Sequence, residues 1–113
     1  MLYVFTPSCP GCERNSANLA SLATQLPRDY RLIGLSLSSE ELDGFVKAHA
    51  ISFPVYRDLS PDRIAAYRLG PTPETIVIGP SGTVIASWQG AFVGPTESLI
   101  EKYFSAHLPD LQQ

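Results

Sequence analysis

Two cysteines, Cys9 and Cys12, are the residues of this chain whose type and spacing best suit covalent chemistry, and the 113-residue sequence contains no third. A thiolate, not a thiol, is the nucleophile in disulfide exchange. Two cysteines in a C-x-x-C motif can share that exchange: one sulfur attacks a substrate disulfide, and the other then attacks the mixed disulfide and releases the substrate. The spacing therefore predicts a redox pair.

The motif has two other interpretations, a zinc site and a pair of inert core cysteines. A C-x-x-C motif can form half of a zinc site, but a structural zinc usually has four ligands, and only His49 and His107 remain, at no motif spacing to the cysteines. Both cysteines could also be inert core residues. A position framed by Pro7 and Pro10, between a strand and a helix, is poor for simple packing, so the redox interpretation is favoured.

The elements on either side of the motif determine which cysteine attacks. The aromatic and β-branched run Leu2–Thr6 predicts a buried strand, and the apolar stripe within Pro10–Leu26 predicts a helix. Cys9 then lies at the helix N-terminus, where unpaired N–H groups and the helix dipole favour a negative sulfur. Cys12 lies one turn inside on the same side. We therefore expect Cys9 to be the nucleophile and Cys12 the resolving cysteine.

The rest of the chain alternates predicted strands and helices, which implies parallel pairing followed by a C-terminal antiparallel hairpin. Ser38 or Ser39 is expected to cap the second helix, and His49 on that helix is expected to lie far from the cysteines. Tyr56, Tyr67, Leu99 and Tyr103 are assigned to the core. The predicted elements are strand Arg31–Leu37, a helix around Leu42–His49, an extended Phe53–Tyr56, helix Pro61–Arg68, strands Thr75–Ile78 and Thr83–Trp88 around the turn Gly79–Gly82, and helix Pro95–His107.

Composition restricts the class of protein. Apolar residues make up 44% of the chain and charged residues 17%, which suits one globular domain spanning residues 1–113. The net charge of −3 argues against a nucleic-acid binder, which normally presents a basic face. No apolar run approaches the roughly 20 residues that span a bilayer. No phosphate-loop pattern occurs, so nucleotide binding has no support.

Three stretches resemble the thioredoxin superfamily, and more narrowly the TlpA/ResA-like thiol–disulfide oxidoreductases. The segment Tyr3–Cys12 is similar to the family's strand and C-x-x-C start. The segment Ile51–Asp58 resembles the family's hydrophobic-x-Phe-Pro-Val-x-x-Asp pattern. The segment Ala66–Gly82 resembles its cis-proline loop and hairpin. The segment between the motif and this loop is longer than in plain thioredoxins, and the extra length, about Glu40–Arg57, matches the helix-and-strand insertion of the TlpA-like branch.

The resemblance implies an α/β, thioredoxin-like fold with a mixed central sheet, helices on both faces and that insertion before the proline loop. Family members have further strands before the one that begins here at Leu2, so we expect an excised or N-terminally shortened domain. By position, Pro73 would be the cis-proline facing the cysteines, and Thr72 would offer backbone hydrogen bonds to an extended substrate. Pro10 and Gly11 would support the pair, and Gly90 would lie near the same surface. The alternative to a role at the site is that Pro71 and Pro73 only stiffen a loop.

Two departures from the family pattern concern the proton acceptor for Cys12. TlpA-like members often carry a glutamate three residues after the second cysteine, where this chain has Asn15. Plain thioredoxins use a buried aspartate six residues before the first cysteine, where this chain has Tyr3. Glu13 is adjacent to Cys12, but it should point to solvent. The sequence therefore leaves the proton acceptor unassigned: either water takes this role or the exchange is slow in one direction.

The resemblance implies a thiol–disulfide oxidoreductase that acts on protein disulfides, in the reducing direction, with no cofactor beyond the cysteine pair and no metal. Its partners would be protein thiols and disulfides and a redox protein that recycles the pair. The alternative is a thioredoxin-fold binding or maturation module for metal or cytochrome assembly, with little turnover. A peroxidase is less well supported, since peroxidatic relatives place their cysteine in a different loop. We expect a monomer, located outside the cytoplasm by resemblance, with the cytoplasm as the alternative.

Overall fold

Five strands and four helices make up the computed structural model, which describes residues 1–109. The strands are β1 (Leu2–Phe5), β2 (Ile33–Ser36), β3 (Val55–Tyr56), β4 (Glu74–Ile78) and β5 (Val84–Gln89). The helices are α1 (Pro10–Gln25), α2 (Leu42–Ala48), α3 (Pro61–Ala66) and α4 (Pro95–Phe104). The predicted order is confirmed, and α2 and β3 form the expected insertion. The end of the predicted domain, residues 110–113, lies outside the described residues.

The strands form one mixed sheet in the order β3-β2-β1-β4-β5. β1 pairs in parallel with β2, and β2 with β3, because a helix crosses between the members of each pair. β4 runs antiparallel to both β1 and β5, and the Gly79–Gly82 turn closes the β4–β5 hairpin. The predicted mixed sheet is therefore confirmed. Since β1 is the central strand, the cysteine motif that follows it begins at the carboxyl end of the middle of the sheet.

The main core lies on the sheet face that carries Tyr3, Phe5 and Val77, which project to one side because side chains alternate along a strand. The rings of Phe5 and Phe45 stack with their centroids 5.4 Å apart. Helix residues of the same cluster are Cys12, Leu19 and Leu22 from α1, Leu42 from α2, and Ile100 and Phe104 from α4. Helices α1 and α2 therefore pack on the same face, which brings residues of α2 towards Cys12. Within residues 1–109, no helix is both long enough and apolar enough to cross a bilayer.

The second helix does not begin with the predicted cap. It begins at Leu42, and no side chain caps it. The Oγ of Ser38 accepts a hydrogen bond from the N–H of Glu40 at 3.2 Å, and the Oγ of Ser39 donates to Oδ1 of Asp58 at 2.8 Å. The prediction that one of these serines caps α2 is therefore wrong, because both hydroxyls are engaged in the turn before the helix.

Four residues that the sequence assigned to the core are exposed. Their exposed fractions are 59% for Tyr56, 70% for Tyr67, 53% for Leu99 and 39% for Tyr103. Tyr56 lies on the edge strand β3, and α3 ends before Tyr67 with no residue fully buried. On α4 only Ile100 and Phe104 are buried. These two residues are one turn apart, so a single row of α4 side chains faces the core and the inward stripe is narrower than the sequence indicates.

Candidate active site

The first cysteine is the N-cap of helix α1. Cys9 has an extended backbone (φ −84°, ψ 116°), and Pro10 occupies the first helical position, where its missing N–H removes no helical hydrogen bond. The Sγ of Cys9 accepts a hydrogen bond from the N–H of Cys12 at 3.1 Å. An unpaired helical N–H thus points at this sulfur, which is the arrangement that stabilises a thiolate once the cysteine is reduced.

The two cysteines form a disulfide with their Cα atoms 5.1 Å apart. They differ in accessibility: Cys9 is half-buried, while Cys12 is only 1% exposed and belongs to the main core. A substrate sulfur can therefore approach Cys9 far more readily than Cys12. This asymmetry agrees with the roles that the sequence predicted, an attacking Cys9 and a resolving Cys12.

The loop before β4 abuts the cysteine motif. The peptide bond between Thr72 and Pro73 is cis, as is the one between Gly70 and Pro71, and Pro73 is buried. A Cβ added at Gly11 would lie 3.3 Å from Cδ of Pro73 and 4.0 Å from Sγ of Cys9. Gly11 is therefore the point at which the motif and the proline loop meet, and a larger residue there would crowd both.

Gly90 joins the same group of residues. Its N–H donates to the carbonyl of Pro73 at 2.8 Å, and its φ of +90° is a conformation that L side chains rarely adopt. Thr72 is half-buried, and within residues 1–109 neither its N–H nor its carbonyl has a hydrogen-bond partner. The structure thus brings together Cys9, Gly11, Pro73 and Gly90, with an unpaired stretch of backbone at Thr72 beside them.

The two positions where related patterns place a carboxylate contact one another in this chain. The Nδ2 of Asn15 donates to the phenolic oxygen of Tyr3 at 3.3 Å. Burial raises the pKa of the Tyr3 phenol to about 12, although the hydrogen bond from Asn15 works against the shift. Tyr3 therefore stays neutral at ordinary pH, and an asparagine amide cannot take up a proton. Glu13 is exposed, as expected, so no carboxylate stands at either expected position.

Asn15 also fixes the segment that follows Gly90. Its Oδ1 accepts hydrogen bonds from the N–H of Phe92 at 2.9 Å and from Nδ2 of Asn18 at 3.0 Å. Asn18 donates to the carbonyl of Phe92 at 3.2 Å. All three residues are fully buried. This polar network holds the backbone around Phe92 against α1 and so supports the proline loop through Gly90.

His49 is the candidate functional residue that the sequence analysis missed. A small cleft between α1 and α2 is lined by Tyr3, Cys12, Ser16, Phe45 and His49, among others. The prediction that His49 lies far from the cysteines is therefore wrong. His49 follows Phe45 by four residues and so shares its face of α2, which was readable from the sequence. That this face lies against α1 depends on how the two helices pack.

The arrangement is suited to disulfide exchange at one sulfur. It combines a half-exposed sulfur at a helix N-terminus, a second sulfur within bonding reach, and an adjacent loop with unpaired backbone. Exchange at this pair needs no bound group, because the two electrons are stored in the cysteine pair itself.

Comparison with known proteins gives concordant results. A sequence profile described as the AhpC/TSA family matches residues 1–87. The thiol-disulfide oxidoreductase ResA of Halalkalibacterium halodurans is 29% identical over 105 residues, which cover 90% of this chain. This chain spans 58% of the length of that relative.

Solved structures resemble this fold over most of the chain. StoA from Bacillus subtilis matches with a TM-score of 0.72 at 19% identity, covering 88% of this chain and 78% of that one. A secreted disulfide oxidoreductase of Mycobacterium tuberculosis matches with a TM-score of 0.73 at 17% identity, covering 92% of this chain and 78% of that one. At such identities the likeness establishes the fold, and the predicted thioredoxin-like fold is confirmed.

Proposed function

Because this chain belongs to the AhpC/TSA family, we propose that it is a thiol–disulfide oxidoreductase that exchanges disulfides with protein substrates through Cys9 and Cys12. The observation that carries the proposal is the asymmetric pair: a half-exposed Cys9 at the start of α1, bonded to a Cys12 that is almost fully buried. The ResA relative is named for the same class of reaction.

The reaction divides into two exchanges. In the reduced protein, the Cys9 thiolate attacks one sulfur of a substrate disulfide, the substrate S–S bond breaks, and its electron pair leaves on the second substrate sulfur. Cys12 then loses its proton and attacks Cys9, which releases the first substrate sulfur as a thiolate and closes the Cys9–Cys12 disulfide. The substrate gains two electrons and the cysteine pair loses them. The N–H of Cys12 stabilises the attacking thiolate, since it already points at Sγ of Cys9.

We propose that the substrate is an extended segment of protein, held by the backbone of Thr72 beside Pro73. The N–H and carbonyl of Thr72 have no partner within residues 1–109, and they are next to the residue that touches the motif at Gly11. A substrate strand can pair with such a backbone edge regardless of its side chains. Pro10, Gly11 and Gly90 support this surface without entering the chemistry.

We further propose the reducing direction, with a separate redox protein that returns the pair to the dithiol, and a location outside the cytoplasm. The direction and the partner follow from the resemblance to TlpA/ResA-like proteins. The location is supported by the structural likeness to a secreted disulfide oxidoreductase. We also propose that the chain acts as a monomer.

Reduction of insulin by dithiothreitol tests the proposed reaction. The protein should accelerate insulin precipitation, Cys9→Ser should abolish the acceleration, and Cys12→Ser should accumulate a mixed disulfide through Cys9. The two variants are matched, since each removes one sulfur and both remove the internal disulfide. Absence of acceleration by the unaltered chain would contradict the proposal and favour a binding or maturation module.

The reduction potential of the pair tests the direction separately. A midpoint near that of thioredoxin, about −270 mV, supports reduction of substrates, whereas one near that of DsbA, about −120 mV, indicates an oxidant. The potential is obtained by equilibrating the protein in thiol buffers, trapping the free thiols and measuring the oxidised fraction by mass.

A further inference from the structure

Cys12 lacks the nearby carboxylate that related patterns place beside the buried cysteine as its proton acceptor. It must lose a proton before it attacks Cys9, yet it is 1% exposed and belongs to the main core. Bulk water therefore does not reach its thiol directly. Its neighbours at the two expected carboxylate positions are the neutral Tyr3 and Asn15, which are occupied with each other. A proton acceptor has to come from elsewhere in the fold.

The cleft beside Cys12 leads to His49. Both residues line it, and its volume of about 10 Å³ is close to the least that holds one water molecule. A base acts on a proton either directly or through one such water. His49 itself is half-buried, so it borders both the cleft and the solvent. Within residues 1–109, it is the side chain lining this cleft that carries a basic ring nitrogen and can pass a proton on to water.

Hydrogen bonds fix the tautomer of His49. The hydroxyl of Ser16 donates its one proton to the carbonyl of Glu13 at 2.6 Å. The same oxygen lies 3.0 Å from Nδ1 of His49 and so must accept from it. Neutral His49 therefore carries its proton on Nδ1, and the lone pair that can take up another proton is on Nε2. Packing against Phe45, at 4.5 Å between ring centroids, holds the imidazole in place.

We propose that His49 is the proton acceptor for Cys12, and that Ser16 is the positioning residue that directs Nε2 to this task. The step rests on the proposed disulfide exchange. As Cys12 attacks Cys9, its S–H proton passes to Nε2, directly or through one water, and the electron pair of the S–H bond forms the Cys9–Cys12 bond. The bond from Cys9 to the substrate sulfur breaks, and the leaving thiolate takes that pair. Solvent then removes the proton from His49.

The test separates the two exchanges within one reaction. Reduced protein is mixed with less than one equivalent of the aromatic disulfide dithionitrobenzoate, which releases one coloured thiolate when Cys9 attacks and a second when Cys12 resolves the adduct. His49→Asn keeps a donor near the position of Nδ1 for Ser16 but lacks a base. It should slow the second release by about 100-fold, the lower end of the effect of a positioned base, and leave the first unchanged.

Three further variants sharpen the result. His107→Asn is the matched control, because this exposed histidine pairs with Glu101 and does not line the cleft; both releases should keep their rates. Ser16→Ala should slow the second release severalfold, since the imidazole is then free to adopt the other tautomer. Added imidazole should restore the second release in His49→Ala, which a purely structural role of the ring would not allow.

The outcomes distinguish this inference from the function on which it rests. If the unaltered chain releases only the first thiolate, Cys12 does not resolve and the proposed exchange fails. If it releases both and His49→Asn does so at the same rates, the exchange stands and the role of His49 is refuted. An unchanged first release also shows that His49→Asn is folded.

Discussion

Replacement of Asn15 by leucine tests the buried polar network that supports the site. Asn15 is fully buried and makes three hydrogen bonds, to the N–H of Phe92, to Nδ2 of Asn18 and to the phenolic oxygen of Tyr3. Leucine has the same branched shape and the same number of side-chain heavy atoms, with bulkier ends, so no cavity forms. What is lost is the acceptor for a buried backbone N–H and for one proton of a buried amide, together with the donor to the phenolic oxygen of Tyr3.

The cost follows from these orphaned groups. A buried donor left without a partner costs about 1–3 kcal/mol, so the N–H of Phe92 and the second proton of Asn18 together cost about 2–6 kcal/mol. Asn18 keeps its bond to the carbonyl of Phe92, which limits the loss. A domain of this size unfolds with about 5–15 kcal/mol, so the variant should lose a large part of its stability.

Urea unfolding followed by circular dichroism measures this change, with Thr24→Leu as the matched control. Thr24 is a polar residue of the same helix, but it is exposed and its hydroxyl donates to the carbonyl of Ser21 within α1. Its replacement therefore makes a comparable gain in helix propensity without disturbing a buried network. The difference between the two variants isolates the network. A free energy of unfolding for Asn15→Leu within about 1 kcal/mol of the control would refute the reasoning, because it would mean that the buried groups find other partners.

Three further predictions concern the sheet, the motif and a buried phenol. Gly34→Ala should lower the free energy of unfolding by about 1–3 kcal/mol, because its Cβ would lie 2.9 Å from Cε1 of Phe53 and 3.3 Å from Cε1 of Phe5. Gly44→Ala on α2, where the added Cβ meets nothing within 4 Å, should instead stabilise the protein. Thermal unfolding of both variants measures the two effects. Gly11→Ala should slow insulin reduction, while alkylation of Cys9 by iodoacetamide keeps its rate, since the methyl group would crowd Pro73 more than the Cys9 sulfur. Equal slowing of both reactions would contradict the proposal that Gly11 supports the substrate-binding surface. Burial raises the pKa of Tyr3 to about 12 from its usual 10.0, so the unfolded phenol ionises first. The resulting stabilisation is complete below about pH 10 and is lost as the pH rises through about 12, a decline of about 2–3 kcal/mol that urea unfolding should show and Tyr3→Phe should lack.

The candidate redox pair of this protein is readable from local sequence. Cys9 and Cys12 are three residues apart and follow a strand, so the helix that begins at Pro10 brings them onto one turn without help from the rest of the chain. Strands and helices were readable for the same reason, because hydrophobic period and turn residues are local properties. The errors lie where local signals compete. At the start of α2, either serine had the chemistry of a cap, and the turn engaged both hydroxyls elsewhere.

Burial and contact across the fold depended on the packing of distant segments. The large apolar side chains of Tyr56 and Leu99 suggest core positions, but their burial depends on which elements pack against them. Tyr56 lies on an edge strand and Leu99 on the outer side of α4, so both are exposed and the prediction that they belong to the core is wrong.

The pairing of Cys9 with Cys12 and the start of the helix at Pro10 follow from local sequence, because both depend on residues within one turn of each other. The surroundings of the buried Cys12 sulfur depend on how distant segments pack. That packing places α2 against α1, so that His49 shares a cleft with Cys12, and it joins Asn15 to Phe92, which is 77 residues away along the chain. Such contacts form because helices bury their apolar faces against a common sheet, and no local pattern specifies which faces meet.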